Sequence, residues 1–317
     1  MAKIIKPQNR EEWLSLRGMG IGSSEIGTLF GTNPFETPLQ LWMRKKGMIP
    51  QQPETYAMAR GHIFEDAVAQ TYARETGREI IKASAGDWIM QDEERPYMRV
   101  SPDRTFWLPN AVRNNSNKGI VECKTTNMQV DEDNVPAHWI FQLVYQLGVA
   151  GYEFGSIAWV TGNFDFGYKD IVMQGKAVEM YQAIVEKVDE WWSRYIVGNE
   201  RPQPINVQDV LLVAPKSVLA KTVTADETLQ AAWEELGNIK ANMKSEEARR
   251  DELESLIKMA IGDAEGMVST DGKVLATWKS GKDTTRFNQT AFKEDEPELY
   301  AKYCETKAGA RTFLLKK

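Results

Sequence analysis

At 317 residues and 42% hydrophobic, the chain is long enough for one large domain with an appendage and can bury a full core without cross-links. Its two cysteines, Cys123 and Cys304, stand far apart with no metal-ligand spacing, which excludes a disulfide framework and a zinc site and fits a reducing cytoplasm. A formal charge of -6 excludes a broadly basic surface, so any nucleic-acid site has to be a local patch or an enclosed channel. No apolar run reaches the length of a membrane helix, and Met1 to Pro7 hold no signal-peptide core, so a soluble, unexported protein with no membrane contact is expected.

The first eighty or so residues read as helical. Asn9 and Glu12 make a capping-box pattern, Ser23 or Ser24 can cap a short helix through Phe30, and Thr37-Pro38 opens another that Gly47 closes. Ile63, Ala67, Val68 and Tyr72 recur near helical spacing in a longer helix predicted from about Glu54 to Thr76, with Gly77 as its stop. The period then becomes that of strands. Segments at Glu79–Lys82, Asp87–Met90, Tyr97–Val100, Thr105–Leu108 and Gly119–Lys124 are bounded by Gly, Pro or Asn and predict an antiparallel meander. A helix over Pro136–Ala150, strands at Ser156–Val160 and Tyr168–Met173, and a Trp- and Tyr-rich helix over Lys176–Val197 complete an α+β core, a central mixed sheet flanked by helices. Residues 1–198 form this domain. Residues 199–215, with Pro202, Pro204 and Pro215, read as a linker to an extension over 216–317. There, apolar residues from Leu229 to Met259 amid alternating charge predict a helical hairpin or coiled-coil arm over Asp226–Ile261, followed by a small β-containing module with strands at Val274–Lys279 and Arg311–Leu315.

Cutting a phosphodiester requires neutralising charge in the transition state and generating a nucleophile near neutral pH, and paired carboxylates holding Mg²⁺ do both. The sequence supplies Ser101-Pro102-Asp103 and then Glu122-Cys123-Lys124. In a strand, residues two apart share a face, so Glu122 and Lys124 point to one side and Cys123 back into the core, leaving the Cys123 carbonyl free to act as a further ligand. Asp103, at the end of the preceding strand, is placed for a hairpin partner to bring it opposite Glu122, with Lys124 holding or polarising the attacking water. A lone Glu-x-Lys is most often a charged surface hairpin, so the flanking helices matter. Arg60-Gly61-x-x-x-Glu65 offers a third carboxylate, although Glu65-Asp66 by itself reads as a solvated helix face. Trp139, Gln142 and Gln146 lie near one face of a helix whose plain reading is an amphipathic core helix with a satisfied amide. His62 and His138 have no metal-ligand company and read as structural. Trp42 and Met43 ahead of Arg44-Lys45-Lys46 read as core and a helix C-terminus, with a wedge and basic grip at a strand-separation point as the alternative.

Taken in order, these motifs resemble the lambda-exonuclease family, also called the YqaJ-type viral recombinases, over about residues 10–195. The resemblance implies a restriction-endonuclease-like core and a 5′-to-3′ exonuclease that degrades one strand of linear duplex DNA, leaving 3′ single-stranded tails for phage-type recombination. It implies that Asp103, Glu122 and the Cys123 carbonyl hold one Mg²⁺ and Glu65 with Asp103 a second, with Mn²⁺ able to substitute. Lys124 then positions the water, and Gln142 matches the family's active-site helix glutamine. The run Trp13-x-x-x-Arg17-x-x-x-Ile21-Gly22-Ser23-Ser24-Glu25-Ile26 is similar to the family's N-terminal signature. This implies that Arg17 and Ser24, together with Ser101, grip the terminal 5′-phosphate, and an arginine fork beside a serine hydroxyl is chemically suited to that task. A salt bridge from Arg17 to Glu12 or Glu25 is the alternative. By the same resemblance the partners are duplex DNA ends and a single-strand annealing protein, the assembly is a toroidal homotrimer, and the setting is the cytoplasm of a bacterial host carrying a phage or prophage. A DNA endonuclease of the same metal chemistry and a non-catalytic DNA-end-binding or assembly factor remain as alternatives.

Overall fold

Most of the N-terminal helices begin where the sequence supplies caps, but the short helix after Gly22 starts at Ser23 itself, and neither Ser23 nor Ser24 caps it. In the computed structural model, which describes residues 2–51, 55–81, 88–163, 165–306 and 309–316, the chain opens with β1 (Lys3–Ile5), α1 (Arg10–Gly18), β2 (Ile21–Gly22), α2 (Ile26–Leu29) and α3 (Pro38–Lys45). The Asn9 side chain accepts from the Glu12 N–H at 2.9 Å to start α1. Thr37 and Gln40 exchange both capping-box bonds at the head of α3, with Pro38 in its first turn. Thr55 caps α4 (Tyr56–Thr76), and Gly77 ends it in the left-handed conformation, φ 68°, that glycine adopts without strain. The predicted limits Glu54, Lys82 and Asp87 lie outside the described residues.

Five strands match the five expected, β3 (Glu79–Ile81), β4 (Ile89–Gln91), β5 (Met98–Val100), β6 (Arg104–Trp107) and β7 (Lys118–Thr125), but they do not form one meander. After them come α5 (Ala137–Ala150), β8 (Phe154–Val160), β9 (Phe166–Val172) and α6 (Lys176–Trp191). One sheet runs in the order β3-β6-β7-β8-β9, while β4 and β5 pair with each other and join β1 and β2 in a second sheet of order β1-β4-β5-β2. In the five-stranded sheet only β7 and β8 are parallel, in register from Gly119 opposite Phe154 to Thr125 opposite Val160, because α5 carries the chain back between them. The result is the expected α+β class with a mixed central sheet flanked by helices.

Alternation along the strands sorts the two faces. Val121, Phe106 and Ala158 pack with Val68 and Tyr72 of α4, and the half-buried Cys123 joins that cluster. The opposite face meets α5, where the side chains of Leu143 and Leu147 close over Gly155. Helix α6 lies against α5 so tightly that a β-carbon at Gly148 would fall 2.1 Å from the Tyr181 ring. It ends in a π-helical turn, Trp192–Val197, where the Tyr195 and Ile196 carbonyls accept from Trp42 Nε1 and Lys46 Nζ, each at 2.9 Å. Trp42 and Lys46 are thereby fixed as structural groups, the first of the two readings the sequence allowed. Residues that looked like a linker are held down as well: α7 (Val207–Val213) presents Asp209, fully buried, to the Thr37 hydroxyl at 2.8 Å.

The chain divides into two compact units, Met1–Leu212 and Val213–Lys317. The second contains α8 (Glu227–Ile261), a hairpin of β10 (Gly266–Val268) with β11 (Val274–Thr277), and the short helices α9 (Gln289–Asp295) and α10 (Pro297–Lys302). Asp226 caps α8 through the Leu229 N–H at 2.9 Å, and the helix runs 35 residues without a break, so the extended arm is realised rather than the helical hairpin. Arg311–Leu315 is not a strand. Among the described residues, no helix is long and apolar enough to cross a membrane.

Candidate active site

Strand β7 turns Glu122 and Lys124 toward α5 and Cys123 toward α4. The ladder with β6 ends at Arg104 opposite Val121, so Asp103 stands one residue beyond the last pair and heads β6 rather than ending the strand before it. Its Oδ2 takes over the role of a ladder acceptor, receiving the Cys123 N–H at 2.8 Å. The carbonyl of a strand residue leaves on the same side as its N–H, so the Cys123 carbonyl also faces the Asp103 side.

Glu122 is 3% exposed and fully engaged. Its Oε1 accepts from Lys124 Nζ at 2.8 Å and from Gln142 Nε2 at 2.5 Å, and its Oε2 accepts from Gln146 Nε2 at 2.9 Å. Lys124 also donates to Gln142 Oε1 at 2.9 Å, closing a triangle of Glu122, Lys124 and Gln142. Glu65, on α4, is ion-paired with Arg104, whose guanidinium also reaches the Asp103 carbonyl at 2.6 Å. The side chains of Glu65, Asp103, Glu122, Lys124 and Gln142 thus gather where the sequence motifs placed them, with the Glu65 carboxylate turned onto Arg104.

Electrostatics mark Asp103 as the strained member. Burial, then the charges of Glu122 and Glu65, push its carboxyl well above the ordinary range. Burial alone would lower Lys124, but Glu122 and Asp103 outweigh it and raise it, so the ammonium stays charged. The Cys123 thiol is pushed up by burial and then by the same acids, which keeps it neutral. Burial, with the Lys124 charge behind it, lowers His138.

A carboxyl penalised by burial and two like charges is what a divalent cation relieves, and the donors here are all hard oxygens suited to Mg²⁺. Among the described residues, no three Asp, Glu, His or Cys side chains already stand as a ligand cluster. The acids are held instead by Lys124, Arg104, Gln142 and Gln146, donors that a cation would displace or share. In donor chemistry and charge the set therefore fits a Mg²⁺ site.

The second predicted cluster lies around the turn after α1. Arg17 Nη2 donates to Ser24 Oγ at 2.7 Å, and the guanidinium stacks on Trp13 at 5.1 Å, with Arg10 on the same ring at 4.6 Å. Glu25 is turned inward: 4% exposed, it lies 2.8 Å from Lys45 Nζ and 3.0 Å from Arg44, and its Oε2 accepts the Gly22 N–H at 2.8 Å. Burial would raise its pKa, but Lys45, Arg44 and Arg17 together hold it down at about 2. Its carboxylate is committed to these cations and to the backbone of the turn. Ser101 donates to the Trp88 carbonyl at 3.2 Å, and among the described residues no bond ties it to Arg17 or Ser24.

What joins the two clusters is a residue that the sequence flagged only by its place on the helix face. Gln146, fully buried one turn beyond Gln142, donates to Glu122 Oε2 and to Ser23 Oγ, at 2.9 and 3.1 Å. Its four-residue spacing from Gln142 was the available signal, while the reach to Ser23 depends on tertiary packing. Glu25 gave no such signal, since its partners lie some twenty residues away on α3.

Fold and site together present an Asp…Glu-x-Lys set at neighbouring strands of a mixed sheet. Residues 12–153 match the model of the YqaJ-like viral recombinase domain. The uncharacterized protein YqaJ of Bacillus subtilis (strain 168) is 26% identical over 311 residues, 93% of this chain and 90% of that protein. Among solved structures, the alkaline exonuclease LHK-Exo from Laribacter hongkongensis is similar over 60% of this chain and 96% of its own, at 16% identity and a TM-score of 0.45. A phage-related exonuclease from Haemophilus somnus is similar over 57% and 96%, at 9% identity and a TM-score of 0.41.

Proposed function

We propose that the chain is a Mg²⁺-dependent exonuclease that digests one strand of linear duplex DNA from its 5′ end and leaves a 3′-ended single strand for phage-type recombination. The observation that carries this reading is the bond path from Lys124 and Glu122 through Gln146 to Ser23, next to the Arg17–Ser24 pair. It ties a hydrolytic centre to a group suited to holding a terminal phosphate. An endonuclease has no use for such a grip.

Asp103, Glu122 and the Cys123 carbonyl would hold one Mg²⁺ and Glu65 with Asp103 a second, with Mn²⁺ able to substitute. When bound, the metal supplies charge neutralisation at the scissile phosphate and a more acidic water. The side chains do the rest. Lys124, kept charged, donates from Nζ and orients the attacking water beside Glu122, while Gln142 fixes both groups by bonding to each. Arg17 offers a planar fork and Ser24 a hydroxyl to the 5′-phosphate, with Ser101 as a further contact. Glu25 makes its direct bonds to Lys45 and Arg44, while the Arg17 guanidinium bonds to the Ser24 hydroxyl that would share the anion.

A net charge of -6 gives an open monomer little hold on DNA between cuts, which favours enclosure in a toroidal trimer. A single-strand annealing protein would take up the 3′-ended product, in the cytoplasm of a bacterial host. The test is digestion with Mg²⁺ of linear, nicked circular and covalently closed circular duplex, the first two carrying 5′-phosphate or 5′-hydroxyl ends. Preferred attack on the 5′-phosphorylated linear duplex is expected. Efficient cutting of covalently closed circles would overturn the exonuclease in favour of an endonuclease.

A further inference from the structure

The long helix of the second unit carries a pattern that the nuclease reading leaves unused. Along α8, Ile239, Met243, Glu246, Arg250, Leu253 and Ile257 alternate spacings of four and three, the heptad rhythm that keeps a seam on one side of a helix. All six are exposed, Ile239 by 47%, Met243 by 58%, Leu253 by 44% and Ile257 by 38%. The end of the chain does not cover them: it runs along a neighbouring face, with Leu315 nearest Gly237 and the Phe313 ring near Lys240. Exposed apolar residues on both sides of Glu246 and Arg250 along one seam are the mark of a helix that pairs.

The two charged positions in the stripe say with what. In a parallel pair of identical helices in register, Glu246 would meet Glu246 and Arg250 would meet Arg250, placing like charges together twice. In an antiparallel pair centred between these two residues, every position finds its complement: Glu246 meets Arg250 on both sides of the centre, Met243 meets Leu253, and Ile239 meets Ile257. The seam extends over about 27 Å at 1.5 Å per residue.

We propose that α8 docks on α8 of a second copy of this chain, antiparallel about a two-fold axis between Glu246 and Arg250. Two buried Glu246–Arg250 pairs set the register and the direction, and the flanking apolar layers supply the adhesion, as polar positions do within helical seams generally. This pairing stands independently of the nuclease reading. If the three-fold ring also forms with its axis at right angles to this two-fold axis, the assembly is of six chains, and without the ring it is of two.

Light scattering on the full chain at micromolar concentration, with sedimentation velocity as a second measure, tests the proposal. A mass of two or six chains is expected. Glu246→Arg or Arg250→Glu alone places like charges at both central layers, so either variant should halve the mass with helicity by circular dichroism unchanged. The exchange Glu246→Arg with Arg250→Glu should restore it. A wild-type mass of one or three chains would overturn the proposal. Two single variants that keep the wild-type mass would overturn it too, and would leave the stripe for a different partner. Failure of the exchanged variant to recover would refute the antiparallel register.

Discussion

Replacing Glu25 by glutamine asks whether the turn that carries Ser23 and Ser24 is held by buried charge. Arg44 would retain Glu36 at 2.8 Å, but the Lys45 ammonium, whose side chain is 3% exposed, would keep the Gly20 carbonyl at 2.5 Å and lose its 2.8 Å carboxylate. Breaking a buried pair from one side costs about 3–5 kcal/mol, because the surviving charge stays buried. For a unit of this size that is a fall in Tm on the order of 10 °C. The pH dependence gives a second measure. Glu25 is held at about 2, below its ordinary 4.5, so its charge contributes stability that is fully present above 4.5 and is lost as pH falls toward 2. The span between those values corresponds to roughly 3 kcal/mol, in line with the first figure. Melting curves of wild type and Glu25→Gln should therefore be far apart at pH 7 and converge as the pH is lowered through that window. The pair Glu25→Leu with Lys45→Met should recover much of the loss, since no charge is left without a partner. A single variant that melts within about 2 °C of wild type at pH 7 would show that the buried pair does not hold the turn.

Asp103→Asn and Glu122→Gln should each lower the cleavage rate by about a thousandfold or more while duplex binding in Ca²⁺ persists, and near-normal turnover in either would remove the acids from the chemistry. Chelation should abolish digestion and Mg²⁺ or Mn²⁺ restore it, with Ca²⁺ supporting binding only, all readable in one gel assay. Gln146→Ala frees one Glu122 oxygen and the Ser23 contact together, so kcat should drop roughly 10–100-fold and the preference for 5′-phosphate ends should weaken. An unchanged preference would mean that Gln146 supports Glu122 alone. Arg17→Ala should abolish most of that preference with little effect on melting, and a variant that still discriminates between 5′-phosphate and 5′-hydroxyl ends would clear Arg17 of the role.

Where a signal was local, the sequence carried it. Asn9 with Glu12 and Thr37 with Pro38 and Gln40 mark helix starts because the cap and the group it satisfies lie within one turn. Glu122 and Lys124 could be assigned to one face from strand alternation alone. The grouping of strands was not legible in this way, since β4 and β5 look like members of the same meander as β6 and β7 and are drawn away only by β1 and β2, remote in sequence. Asp103 was placed at the wrong strand end for a related reason: strand ends depend on which neighbour supplies the ladder. Charge pairing was the least legible level. Glu25 has candidate cations in Arg17 before it and in Arg44 and Lys45 after it, and its ion pairs with Lys45 and Arg44 follow from how α3 packs. The long arm was legible, but a hairpin and a single helix share the same apolar periodicity, and only the unbroken run of α8 separates them.

The bond between Thr37 and Asp209 has a consequence for the order in which the molecule is made. One end of it is synthesised early, at the head of α3, and the other arrives 172 residues later. Until Asp209 clears the ribosome, Thr37 faces the place that Asp209 will fill, and the site-bearing unit folds with one buried acceptor missing. Completion of the catalytic half is therefore tied to translation of a segment that, by composition, looks like mere tether. A fragment ended at residue 198 would lack that bond, whereas one ended at 212 carries its own final clasp.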